Sequence, residues 1–167
     1  MQMRLGEHLQ LTLFGTSHGP LVGAYLEGVP KGISIDRIEI QKAMDLRKPG
    51  GKYASKRKEA DNVELLSGIS EEITTGEKIE ISIKNKDARS SDYSFIPDHP
   101  RPGHQDMVML KRTNGEADLR GGGTSSARLT APIVAAAAII EPILSRLAIN
   151  IQAHVRAIGN IEARSIN

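Results

Sequence analysis

Isoleucines at positions 79, 81 and 83 alternate with Lys78, Glu80, Ser82 and Lys84. A two-residue period puts the apolar side chains on one face. It predicts a half-buried strand in an antiparallel sheet, since such sheets can keep one face in water. Leu9–Phe14 and Val22–Leu26 predict two more strands, with Gly15, Gly19 and Pro20 punctuating the turn between them. Val63–Leu66 reads as a further strand and Ile149–Ile158 as a closing one. Asp36 suits a helix N-cap, with Glu39 at the capping-box position and Ile35 and Ile40 placed for a hydrophobic staple. That helix is expected to run to about Leu46 and stop before Pro49-Gly50-Gly51. Asp106–Lys111 predicts a short helix. Ser125–Leu147 predicts one long helix that Pro132 and Pro142 should kink or split. Lys84–Gly103 reads as a long functional loop, and Gly121-Gly122-Gly123 as a flexible connector. No repeat or low-complexity linker divides the chain. The order predicts a single α+β domain over residues 1–167, with antiparallel sheets around a central long helix.

Composition narrows the chemistry. Aromatic residues are only 3% and Trp is absent, so the core must be built from Ile, Leu, Val and Ala. The absence of Cys excludes disulfides, thiolate metal sites and thiol nucleophiles. Twenty-two Lys and Arg against 20 acids leave a net charge of +2, too little by itself to point to nucleic acid. The segment Met1–Gln10 lacks the apolar block of a signal peptide. The most apolar stretch, Leu129–Ile140, falls short of the roughly 20 residues that span a bilayer. The expectation is a cytoplasmic protein without a membrane partner.

Four segments carry candidate chemistry. In Phe14-Gly15-Thr16-Ser17-His18-Gly19, flanking glycines let backbone and imidazole approach a ligand, and a histidine there can act as an acid. The competing reading is a turn histidine bonded to backbone. Arg47, Lys48, Lys52, Lys56, Arg57 and Lys58 form a basic loop suited to a phosphate or polycarboxylate, or else a solvated basic surface. In Arg101-Pro102-Gly103-His104-Gln105-Asp106, Asp106 can orient or charge-stabilise His104. His99 and Asp98 raise a metal site, but the spacing matches no standard zinc pattern and none is expected. Arg120-Gly121-Gly122-Gly123-Thr124-Ser125-Ser126-Ala127-Arg128 leads three glycines into a helix N-terminus, as an anion cradle or as a hinge with an ordinary serine cap.

Together these segments are specific. FGTSHG, the Arg47–Gly50 turn, RPGHQD and LRGGGTSSAR resemble the chorismate synthase family in order and spacing. So do Leu66-Ser67-Gly68, Thr74-Thr75-Gly76 and Asp87–Tyr93, and the likeness runs from about Leu5 to Gly159. The resemblance implies a β-α-β sandwich, of which this chain is half, and a homotetramer. It implies a trans-1,4 elimination of phosphate from 5-enolpyruvylshikimate 3-phosphate to give chorismate, with reduced FMN as cofactor and, in some members, NADPH as reductant.

Carried over by motif, His18 and His104 match the two active-site histidines of the family. Arg47, Lys48, Lys52, Arg101 and Arg128 fall in substrate- or NADP-contacting segments, and Thr124, Ser125 and Ser126 in a flavin-contacting one. The chain departs from the family at several of these places. Thr16 stands where most members have Glu, and Leu46 and Lys48 replace two of a run of arginines. Lys52 stands in for a second Arg and Thr124 for another. Lysine keeps the charge but loses bidentate phosphate geometry. Family members are much longer, and their second half brings further flavin contacts and a carboxylate-bearing segment. A missing second half is therefore an expected partner, and the 167-residue chain alone is not expected to turn over substrate. Two other readings stay open: a non-catalytic fragment with anion sites that oligomerises, and a basic phosphate- or RNA-binding module.

Overall fold

The computed structural model describes residues 3–49, 57, 59–88, 90–96 and 98–164. Lys52 and most of the basic loop lie outside the described residues. Five strands form one antiparallel sheet: β1 (Met3–Leu5), β2 (Gln10–Gly15), β3 (Leu21–Glu27), β4 (Val63–Ser67) and, after two short strands, β7 (Ile79–Lys84). Their order is β1-β2-β3-β7-β4. The short strands β5 (Ile69–Ser70) and β6 (Ile73–Thr74) pair as a separate ribbon.

The alternating isoleucines decide the core. Ile79, Ile81 and Ile83 are fully buried and lie opposite Leu26, Ala24 and Val22 of β3. Helix α1 (Arg37–Leu46) brings Ile40 and Met44 to this face, and helix α3 (Thr130–Arg146) brings Ala131, Ala135, Ala136 and Ile139. Alanines at these positions let α3 lie close to the sheet. Asp36 caps α1 as its residue type predicts, accepting from the N–H groups of Ile38 (2.8 Å) and Glu39 (3.3 Å). The short helix α2 (Asp106–Arg112) also falls where expected. The result is α+β, with one five-stranded sheet, two two-stranded ribbons and the helices among the described residues.

Three expectations are corrected. The long helix starts later than Ser125: a 3-10 turn at Ala127–Leu129 precedes α3. Pro132 then falls in the first turn, where its missing N–H has no intrahelical acceptor to lose, and α3 continues through Pro142 without splitting. The glycine run is no loose connector, because Gly122 and Gly123 are buried within the kinked turn Arg120–Ser125. The closing strand over Ile149–Ile158 does not form. Only β8 (Ala157–Ile158) pairs with β9 (Ile161–Glu162), as an exposed two-residue ribbon. Apolar alternation alone makes no strand without an edge to pair with.

By length and composition alone, Ala127–Arg146 could cross a membrane, with mean hydropathy 1.6. The shorter stretch seen in sequence understated this. The helix nevertheless lies on the sheet with its alanine face buried, which is the place of a core helix.

Candidate functional site

The glycine run is a seam on which both histidine turns dock. Gly121, Gly122 and Gly123 all have positive φ (63°, 116° and 55°), which side chains disfavour. A Cβ on Gly121 would collide with the His18 ring, and one on Gly123 with the carbonyl of Asp118. On one side, the N–H of Ser17 donates to the Gly123 carbonyl (3.2 Å) and the Ser17 hydroxyl to the Arg120 carbonyl (3.0 Å). Thr16 donates to Asp118 (2.7 Å), whose carboxyl is held down to about 2, first by its hydrogen bond from Arg120. On the other side, Gln105 donates to the Gly122 carbonyl (2.7 Å) and Arg101 to the Leu119 carbonyl (3.1 Å).

His18 opens onto a cavity of about 620 Å³, within the range of small-molecule sites. Its Nδ1 lies 3.0 Å from the Ser17 oxygen. Since that hydroxyl spends its proton on the Arg120 carbonyl, Nδ1 is the donor. Burial lowers the His18 pKa below the usual 6.5, and the Arg57 charge lowers it further. Arg47, Arg57, Arg128, Tyr93 and Ser126 line the same cavity, with Glu59 and Asp61 among its acids.

The arginines are held by carboxylates. Asp61 is buried, has φ of 53°, and pairs with both Arg47 and Arg128. Arg128 also donates to Asn85 (2.9 Å), whose amide in turn donates to the Thr16 and Gly19 carbonyls (3.0 and 2.9 Å). Asn85 thereby ties the arginine wall to the His18 turn. Arg57 reaches the Ser17 carbonyl (2.9 Å) and pairs with Glu59. The Nε of Arg47 is buried without a hydrogen-bond partner.

His104 is wired differently. Its Nδ1 lies 2.6 Å from Oδ1 of Asp106, which is fully buried at the start of α2. Arg101 grips the same carboxylate with Nε and Nη2, both at 2.8 Å, and adds its backbone N–H at 3.0 Å. The Arg101 hydrogen bond is the largest of the influences that hold the Asp106 carboxyl well below the usual range. Tyr93 touches both turns: its ring meets His18 edge-on at 4.8 Å, and the Arg101 guanidinium lies 5.5 Å from its centre.

Of the residues singled out in sequence, His18, Arg47, Ser126 and Arg128 share the cavity. His104, Arg101, Thr124 and Ser125 sit on or beside the seam and are not among the described lining residues. Lys48 pairs with Asp45 of α1, and Lys52 lies outside the described residues. No group of three His, Asp or Glu placed to hold a metal occurs among the described residues. Sequence reasoning gave no role to Asp61, Glu59, Asn85 or Tyr93. Position was the signal for Glu59, Asp61 and Asn85, which stand beside the basic loop or a strand end, and Tyr93 closes a segment that resembles the family.

The chorismate synthase family model matches residues 9–167. The chain belongs to the chorismate synthase family. A chorismate synthase of Aeropyrum pernix is 46% identical over 160 residues, covering 96% of this chain and 42% of that protein. The chorismate synthase of Campylobacter fetus is 48% identical, covering 97% and 45%. That of Bordetella avium is 50% identical over 143 residues, covering 85% and 40%. A crystal structure of chorismate synthase superposes with a TM-score of 0.70 at 29% identity, covering 94% of this chain and 40% of its own. The chain therefore spans less than half the length of the chorismate synthases it matches.

Proposed function

We propose that this chain supplies the imidazole-and-arginine part of a chorismate synthase active site, where 5-enolpyruvylshikimate 3-phosphate loses phosphate by trans-1,4 elimination. The observation that carries this reading is Arg47, which lines the cavity with a buried Nε that has no partner. An unmet buried donor costs about 1–3 kcal/mol, and a shift of the Arg47 side chain toward an anion in the cavity would relieve it. Arg128 shares the wall, and charge-assisted hydrogen bonds from guanidinium suit phosphate.

His18 in the free protein leans to the neutral form, because of burial and then Arg57. A phosphate dianion beside it opposes the arginine field and favours the imidazolium. The substrate thereby recruits the proton that eases its own phosphate away. His104, held on Asp106 and not among the cavity's lining residues, is the second imidazole of this reading.

The residues suit reduced FMN by donor type. Ser126 lines the cavity, and its oxygen accepts from the Arg128 N–H while its own proton stays available. Thr124 and the exposed Ser125 follow directly on the glycine run. These three hydroxyls would hold reduced FMN, which would supply transient electron donation, with the electron regained as a substrate proton is taken up. NADPH as its reductant, a tetrameric assembly, further catalytic groups from outside the matched span and a cytoplasmic location belong to the same reading. An RNA-binding surface fits less well, since the arginines line a cavity in which Tyr93 alone among the described Phe and Tyr residues could stack a base.

Calorimetric titration of 5-enolpyruvylshikimate 3-phosphate into the chain tests the reading. Saturable binding is expected, weakened roughly tenfold or more by Arg47→Ala as a charged hydrogen bond is lost. Binding indifferent to Arg47→Ala overturns it, as does RNA binding with a steep salt dependence and no substrate binding.

A further inference from the structure

Asp106 is too fully engaged to be a ligand for anything outside the protein. Its two carboxylate oxygens receive four donors: the backbone N–H and Nε of Arg101 on Oδ2, and Nη2 of Arg101 and Nδ1 of His104 on Oδ1. The side chain is completely buried. Three of the four donors belong to Arg101 and cannot become acceptors. Only the imidazole can exchange donor for acceptor, so the state of Asp106 must express itself in His104.

We propose that Asp106, clamped by Arg101, is the positioning residue of His104. It fixes a proton on Nδ1 and leaves Nε2 as the nitrogen that exchanges protons with a ligand. An ionised carboxylate can only accept, so neutral His104 carries its hydrogen on Nδ1. Arg101 is then part of the support through Nε and Nη2, which the carboxylate and the Leu119 carbonyl take up. The carbonyl bond, with Gln105 on Gly122, ties this support to the glycine seam beneath His18. Among the described residues, Arg101 from the turn bonds the carboxylate of the pair, and Tyr93 meets the Arg101 guanidinium. The arrangement parallels the carboxylate–imidazole pair that sets the tautomer of a catalytic histidine in serine proteases. The inference rests on the chorismate synthase reading for what His104 does, but not for how it is held.

The test is made on the whole chain with histidine labelled with nitrogen-15. Two-bond nitrogen–proton spectra report which ring nitrogen is protonated, and a His104→Gln control assigns the signals among the five histidines. Neutral His104 is expected to be protonated at Nδ1. In Asp106→Asn the amide oxygen should stay at the Oδ2 position, held by two donors of Arg101. The NH₂ then faces His104 and forces Nδ1 to accept, so the tautomer should switch. A wild-type spectrum showing neutral His104 protonated at Nε2 overturns the proposal, and needs no variant to fold. An unchanged tautomer in folded Asp106→Asn overturns it equally. In an assembly that turns over, the same variant should lower kcat by on the order of 10²–10⁴-fold with KM little changed, as for the wrong tautomer of a catalytic histidine. Absence of turnover in the unmutated assembly would strike the functional reading alone and leave the spectra standing.

Discussion

The turn that carries His18 holds its imidazole between a hydroxyl and the positive field of Arg57. The turn that carries His104 holds its imidazole against a buried carboxylate. Each turn has a deeply buried aspartate beside arginine. On the His18 side, Asp61 spends both oxygens on Arg47 and Arg128 and leaves the imidazole to Ser17. On the His104 side, Asp106 shares itself between Arg101 and the imidazole. The difference assigns two jobs to one residue type. On the proposed reading, a histidine among cations takes up a solvent proton when an anion binds beside it. A histidine on a carboxylate has one proton fixed and works through its other nitrogen.

The largest effect should come from breaking the support on the His18 side. Asp61→Ala leaves Arg47 and Arg128 facing each other without their shared counter-ion. Removing one partner of a buried pair costs about 3–5 kcal/mol. Urea denaturation of the chain should register a loss of that order. A change within about 0.5 kcal/mol, as for an ordinary surface substitution, would mean the arginines find another partner and the two aspartates are not comparable.

Next come the histidines themselves. In an assembly that turns over, His18→Ala and His104→Ala should each cut turnover by roughly 100-fold or more, the usual measure of lost acid–base catalysis. Melting temperatures should barely move, since each ring is only partly buried in a polar turn. A large loss of stability with unchanged turnover per folded molecule would reduce either residue to a structural one.

How much of this was legible beforehand differs between fold and site. The isoleucine alternation of β7 and the Asp36 cap were readable because each is a local code. The segment Ile149–Ile158 carried a similar apolar pattern and failed, since a strand also needs a neighbouring edge, which no local pattern supplies. At the site, His18, His104 and the glycine run stood out by residue type. Asp61 did not: a lone acid before a strand has no signature until folding brings Arg47 and Arg128 to it from far along the chain. The glycines were seen as permissive to a ligand, whereas Gly121 and Gly123 are required first by close contacts within the protein.

A smaller effect sharpens the contrast. Inorganic phosphate titrated into the chain should move the His18 ring resonances and raise the pH at which they titrate, because an anion in the cavity opposes Arg57. His104 lies outside that cavity and should respond less. Arg47→Ala should remove the His18 response. Equal movement of both histidines would mean phosphate binds elsewhere or nonspecifically.

The smallest effect is on stability against pH. The folded-state pKa of His18 lies below its ordinary 6.5, owing to burial and then to Arg57. Between the folded value and 6.5 the unfolded chain binds more protons, so stability rises with pH across that window and falls as the pH drops through it. Above the unfolded value the contribution is complete. The carboxylates held low, such as Asp118 at about 2, act in a separate range, because their contribution is lost only as pH falls below the ordinary carboxylate value of 3.8. Melting curves taken between about pH 7.5 and 5.5 therefore isolate imidazole titration from that of these carboxylates. His18→Gln, which cannot take up the proton, should flatten the decline relative to the unmutated chain. A decline as steep in His18→Gln as in the original would show that Arg57 and burial do not hold His18 neutral, and the contrast between the two turns would lose its electrostatic half.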